Sequence, residues 1–301
     1  MKSDRQLSGV LSITPTPFNK DGSLDLESVK TLVDFYANQG VDGITILGVF
    51  GEAHKLLPTE RAQVIEAFVG ATDGRFPVLV GTTHAGTSPA VALATQAEQL
   101  GAAGVMVAPP PLTGDNTEDL VFDHYQAISD AISVPIIVQD YPPSSGGLMM
   151  PPRLLARMAE SIDQVRYLKI EDAPSAVKTG KVRELAGDSL GILGGLGGVF
   201  FFEELQQGAI GTMTGFAYPE LLVDIYQAHL AGDVERAAQM FYRYLPLIRF
   251  EFQPGVALGV RKEIYRRRGA IRTATARMPA TPLDEGTARE LTSLLARLEL
   301  N

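Results

Sequence analysis

Short β-rich apolar runs alternate with longer stretches of helical period along this chain, and that alternation constrains the fold more than any other feature. The runs fall at residues 9–14, 43–48, 78–83, 104–108, 135–141, 167–172, 191–195 and 211–215. Stretches opened by capping residues or helix-compatible prolines lie between and after them, at 25–38, 58–71, 88–100, 117–132, 151–161, 174–186 and 198–207. Such alternation is the mark of parallel strand–helix units. Eight of them in about 220 residues match a closed (β/α)8 TIM barrel, with a doubly wound open sheet as the rival. From Pro219 onward the pattern gives an eighth helix and then further helices near 234–250, 255–268 and 284–298. No linker composition precedes them. We therefore read one domain, with 9–230 as the barrel and 231–301 as a C-terminal helical extension packed on the barrel or on a neighbouring subunit.

A chain of 301 residues, 45% hydrophobic, can bury a large α/β core. Its formal charge of -9 at pH 7 argues against a nucleic-acid partner, which needs surplus Lys and Arg on one face. The cluster Arg266-Arg267-Arg268 reads as a solvated helix end or a subunit contact. There is no cysteine, so disulfides, thiolate metal sites and cysteine nucleophiles are excluded. His54, His84, His124 and His229 are scattered, and neither a metal nor another cofactor is expected. No apolar stretch of about 18 residues occurs, and residues 1–6 lack the apolar core of a signal peptide. A cytoplasmic protein without a membrane partner is the simplest reading.

Lys169 and Glu171 stand two apart in the apolar run Val165-Arg166-Tyr167-Leu168-Lys169-Ile170-Glu171, so on a strand they face the same way. A buried lysine is costly unless paired or deprotonated, which leaves a structural ion pair or a nucleophile. In a barrel, chemistry sits at the carboxyl ends of the strands. There the chain offers Thr14 and Thr16, the turn Gly48-Val49-Phe50-Gly51-Glu52, Thr82, Thr83 and His84. It also offers Gln139, Asp140 and Tyr141, then Lys169 and Glu171, the glycines of 194–198, and Thr212 with Thr214. Glu52 suits a brace for its own loop. His84 fits either a substrate hydroxyl or an ordinary rim hydrogen bond. Gly195 fits backbone contact with substrate better than a dinucleotide cradle, because its glycine spacing is wrong for one. The run Phe200-Phe201-Phe202 suits helix core or an interface.

Gly48-Val49-Phe50-Gly51-Glu52, Tyr167-Leu168-Lys169-Ile170-Glu171, Val134-Pro135-Ile136-Ile137-Val138 followed by Tyr141-Pro142, and Gly208-Ala209-Ile210-Gly211-Thr212 resemble the dihydrodipicolinate synthase and N-acetylneuraminate lyase family. The resemblance runs from Gly9 to about Leu247. It implies a TIM barrel, commonly a tetramer, whose Lys169 forms a Schiff base with a 2-keto acid such as pyruvate. Departures from the pattern narrow the activity. Synthase members carry hydroxyl residues where this chain has Val49 and Phe50, and a proton-shuttling tyrosine where it has Gln139. Ser144 replaces an arginine that binds the synthase substrate's distal carboxylate, and the loop 109–113 lacks the usual tyrosine pair. An amide holds a hydroxyl or water but does not exchange protons near neutrality. Glu171, beside Lys169, is the group left to do so.

The combination of Gln139-Asp140 with Lys169-Ile170-Glu171 resembles the branch that dehydrates 2-keto-3-deoxy sugar acids, 2-keto-3-deoxyarabonate dehydratase in particular. The expected catalytic residues are Lys169, Glu171 and Gln139. Val49, Phe50, His84, Tyr141, Gly195 and Thr214 are the expected substrate contacts. Rivals are a retro-aldol lyase or the synthase itself, using the same lysine, and a catalytically silent binding relative. An inward Lys169 with a neighbouring carboxylate favours chemistry over the last.

Overall fold

The computed structural model describes residues 7–141 and 147–300. Eight parallel strands close into a barrel in sequence order: β1 Gly9–Ile13, β2 Gly43–Ile46, β3 Val78–Gly81, β4 Gly104–Val107, β5 Ile136–Asp140, β6 Val165–Ile170, β7 Gly191–Gly194 and β8 Gly211–Thr212. The helices that follow are α1 Glu27–Asn38, α2 Pro58–Thr72, α3 Thr87–Gln99, α4 Thr117–Ser129, α5 Pro152–Ser161, α6 Ser175–Ala186, α7 Phe201–Gln206 and α8 Pro219–Leu230. Three more, α9 Val234–Glu251, α10 Ala257–Arg267 and α11 Glu285–Arg297, complete the chain. The strands are buried along nearly their whole length, because side chains fill the lumen on one face and the helices cover the other.

Local chemistry sets the helix starts. Pro58, Pro152 and Pro219 open α2, α5 and α8, where a missing amide proton costs nothing. The Leu57 amide donates to Glu60 Oε2 at 2.8 Å. Asp233 and Asp284 cap α9 and α11 by accepting from the amides of Arg236 and Thr287. Asp25 lies two residues before α1 rather than inside it, and accepts from the Ser28 amide and hydroxyl. The seventh helix is shorter than its sequence stretch. Gly197 and Gly198 adopt φ of +68° and +86°, a turn that helical geometry cannot include, so helix begins only at Phe201.

Strand β8 is also short, yet its neighbours continue the ladder beyond it. The Met213 amide donates to Gly194 and the Ile13 amide to Thr214, at 2.8 and 2.9 Å. Between β5 and β6 the register slips near the strand starts: Ile136 pairs with Val165, but Ile137 pairs with Tyr167. Arg166 is the extra, exposed residue of this bulge. Past it the pairing is regular, and Gln139, Lys169 and Leu193 lie side by side on adjacent strands.

The C-terminal helices dock on the barrel mouth. Lys262 of α10 is fully buried, and its Nζ donates to the Thr16 carbonyl at 3.0 Å and to Glu52 Oε1 at 2.5 Å. Tyr265 of the same helix shares a hydroxyl hydrogen bond of 2.8 Å with Tyr36. Phe201, the first residue of α7, is buried, and Phe202 stacks on Phe241 of α9 with centroids 6.1 Å apart. The basic cluster is tied down by carboxylates, Arg266 and Arg267 by Glu263 and Arg268 by Glu220. Among the described residues no helix is long and apolar enough to cross a membrane.

Candidate active site

At the carboxyl end of β6, Lys169 is only 6% exposed. Its Nζ lies 3.2 Å from Glu171 Oε2, and the same oxygen accepts from Gln139 Nε2 at 2.7 Å. The other oxygen of Glu171 accepts from the Leu196 amide at 3.4 Å. One carboxylate thus touches the amine, the amide and the turn after β7. The regular β5–β6 register brings Gln139 beside Lys169, and the pleat brings Glu171 to the same face one step beyond the strand end.

The turn after β7 closes over this group. A Cβ on Gly195 would overlap the Cγ of Glu171, so glycine is required for the carboxylate to reach Lys169. Gly195 therefore packs on Glu171 itself. On the other side of the strand, a Cβ on Gly194 would overlap the carboxyl of Glu204. Glu204 is fully buried and accepts from Ser175 Oγ at 2.6 Å. Burial pushes its carboxyl up to about 8, so it carries a proton near neutrality.

Behind β5 lies a second buried network. Asp140 pairs with Lys178 of α6 at 2.7 Å, and Lys178 also meets Asp172 at 3.0 Å. Burial raises the Asp140 carboxyl to about 6 despite the opposing pull of Lys178. This network fixes α6 against the ends of β5 and β6 and so supports the strand that carries Lys169.

Opposite, the turn after β2 is held from outside the barrel. Glu52 is fully buried in a left-handed conformation, φ 54°, and receives Lys55 at 2.9 Å, the Arg277 amide at 2.9 Å and Lys262. It is a brace, tied to α10 and the segment after it. Thr16 Oγ1 adds a bond of 2.6 Å to the Gly51 carbonyl. Phe50 is nearly buried and faces Tyr265, while Val49 is 60% exposed at the rim.

The remaining sequence candidates spread out. Thr214 is buried at the end of β8. Tyr141 is half-buried, its amide folded back onto the Gln139 carbonyl at 2.9 Å. His84 is exposed, and its Nδ1 accepts from the Gly86 amide at 2.9 Å, a turn-bracing contact ahead of α3. Ser144 lies outside the described residues, as does the amino-terminal segment 1–6. Sequence reasoning missed Glu204, the Asp140–Lys178–Asp172 network as a support, and Arg261 of α10, which stacks over the Phe50 ring at 5.3 Å. A charged residue within a strand or helix that must be buried was the available signal for Asp140. None existed for Arg261. Among the described residues no group of three or more His, Cys, Asp or Glu is arranged to hold a metal ion.

Residues 6–298 match the model of the dihydrodipicolinate synthetase family. An L-2-keto-3-deoxyarabonate dehydratase from Azospirillum brasilense is 36% identical over 294 residues, 97% of this chain and 94% of that protein. A 4-hydroxy-tetrahydrodipicolinate synthase from Pelobacter propionicus is 32% identical over 227 residues, 75% of this chain and 76% of its own. Among solved structures, a dihydrodipicolinate synthase from Rhodopseudomonas palustris superposes with a TM-score of 0.91 at 36% identity, covering 97% of both chains.

Proposed function

The chain belongs to the dihydrodipicolinate synthetase family, a family of Schiff-base lyases, and on that premise we propose that it dehydrates a 2-keto-3-deoxy sugar acid through an imine on Lys169. The observation that carries this reading is the single carboxylate of Glu171 in contact with both Lys169 and Gln139. Similarity to the Azospirillum dehydratase supports it.

In this proposal Lys169 passes a proton to Glu171, 3.2 Å away, and its free amine attacks the C2 carbonyl of the substrate. Glu171 returns that proton to the former carbonyl oxygen, which leaves as water, so a protonated imine stands beside a carboxylate once more. That cation acidifies the C3 proton, which the Glu171 carboxylate removes, leaving an enamine. The C4 hydroxyl departs as water with the proton that Glu171 has just taken up, and a C3–C4 double bond forms. Water then releases the product from Lys169. Net loss is one water, and Glu171 ends as it began. Gln139 supplies a donor that fixes Glu171 in place without exchanging protons. Phe50 and Val49 fill the positions where a synthase would place relay hydroxyls, which speaks against the synthase reaction.

The test is incubation with a panel of 2-keto-3-deoxy acids and mass spectrometry of the products. Loss of 18 mass units, as one water, supports the reading; pyruvate plus an aldehyde would replace it with a retro-aldol lyase. A cytoplasmic homo-oligomer, tetrameric by the family resemblance, belongs to the same proposal and is checked by sedimentation.

A further inference from the structure

Two consecutive glycines after Leu193 each carry a buried carboxyl, one on either side. A Cβ on Gly195 would overlap Glu171, and a Cβ on Gly194 would overlap Glu204 Oε2 on the other side of the strand. Glu204 is fully buried, and its Oε2 has no hydrogen-bond partner, while its Oε1 accepts from Ser175 Oγ at 2.6 Å. Ser175 opens α6, the helix that follows Glu171, and Glu204 belongs to α7, the helix that follows the turn at 195–198. One hydrogen bond thus joins the segment leaving Glu171 to the segment leaving Gly195. The turn between them donates its Leu196 amide to Glu171 Oε1 at 3.4 Å.

The elements packed against Glu204 offer no counter-charge among the described residues. Strand β7 carries no titratable side chain. Glu203 of the same helix and Glu171 are both carboxylates and oppose a second anion there. Glu203 in turn accepts from the Tyr242 hydroxyl of α9 at 3.3 Å. On α6, Lys178 is taken by Asp140 and Asp172 and Arg183 by Asp188, while Lys181 and Glu184 are exposed. On α9 the arginines are exposed, and Glu251 is held at the Ala217 amide. Lys169 is paired with Glu171. An ionised Glu204 would therefore leave Oε2 as a buried, unpartnered charge and would push against Glu171 across the turn.

We propose that Glu204 is a positioning residue for proton transfer: through Ser175 and its close approach to Gly194 it fixes the turn after β7, and that turn seats Glu171 against Lys169. The inference rests on the Schiff-base reading of Lys169 with Glu171 as its base. While neutral, Glu204 clamps α6 to the turn. Once ionised it is driven from its site, the turn shifts, and Glu171 loses its seat. Burial places that loss above about pH 8, so proton removal fails there for a reason outside the group that removes the proton.

The experiment follows deuterium washout from the methyl group of C3-deuterated pyruvate into water, a reaction that needs only an imine at Lys169 and a base. Rates at saturating pyruvate are read by mass spectrometry from about pH 6 to about pH 9.5, with circular dichroism confirming the fold at each point. Glu204→Met, which cannot accept from Ser175, should exchange about 3- to 10-fold more slowly than wild type below about pH 7. Glu204→Gln accepts from Ser175 but cannot ionise. It should restore the rate lost in Glu204→Met and carry it at least about one pH unit further into the alkaline range than wild type does. An alkaline fall at the same pH in wild type and Glu204→Gln overturns the inference, and so does a Glu204→Met rate equal to wild type. If wild type washes out no deuterium, the Schiff-base reading falls and this inference with it. Should the Glu204 variants fail to fold, Ser175→Ala, which removes only the hydroxyl of the clamp, is judged by the same slowing.

Discussion

A glutamate that touches both a lysine and an amide can act on protons or merely hold the lysine, and substitution separates these roles. Glu171→Gln keeps the size and hydrogen-bonding reach but carries no proton. Trapping of a keto acid at Lys169 should survive, while dehydration falls by a factor on the order of 10² or more. Near-normal turnover would remove Glu171 from the chemistry, and parallel loss of trapping and turnover would make it a holder only. Lys169→Ala should trap nothing. The departures at Val49, Phe50 and Gln139 carry a further expectation, that condensation of pyruvate with aspartate semialdehyde runs about 10²- to 10⁴-fold below an ordinary synthase. Lys169 and Glu171 were legible as a pair because strand alternation relates 169 to 171 without knowledge of the fold, whereas Val49, Phe50 and Gln139 stood out only through the family resemblance. Arg261 was legible by neither route. It stands 92 positions from Lys169 in a helix, and only tertiary packing brings it over the Phe50 ring.

At the scale of elements, the strands and their order could be read from the chain, whereas their ends could not. Helix α7 is shorter than its apolar pattern because consecutive glycines at 197 and 198 redirect the backbone, a choice that hydrophobic period does not record. The glycines of 194–198 suggested substrate contact. The structure gives two of them a packing duty, with Gly194 making room for Glu204 and Gly195 making room for Glu171. Gly195→Ala should therefore displace Glu171 and depress dehydration more than Gly70→Ala, a helical position with open space around it, which should be close to neutral or slightly stabilising. Circular dichroism melts alongside turnover separate the local effect from unfolding.

At the scale of the whole molecule, the barrel carries acidic groups that fold better protonated. Glu204 keeps its proton to about 8 when folded, against an ordinary value of 4.5. Between those values the native state binds more protons than the unfolded chain, so this group's contribution to stability falls as pH rises. Glu204→Gln should flatten that fall, narrowing the difference in Tm between about pH 5 and about pH 8.5 by a few degrees. A slope identical to wild type would show that the carboxyl ionises freely in the fold. The bulge at Arg166 has a different consequence for the same barrel. Because one surplus residue is taken up at the amino end of β6, length errors there are absorbed before they reach the mouth, and the strand behaves as a joint with slack at one end and none at the other. Deleting Arg166 should straighten the strand and leave Lys169 trapping intact. Deleting Leu168, two residues on, consumes the same slack at a cost: Arg166 and Tyr167 each move one place and exchange faces, the arginine enters the buried wall beside Ile137, and trapping should fall well below that of the Arg166 deletion.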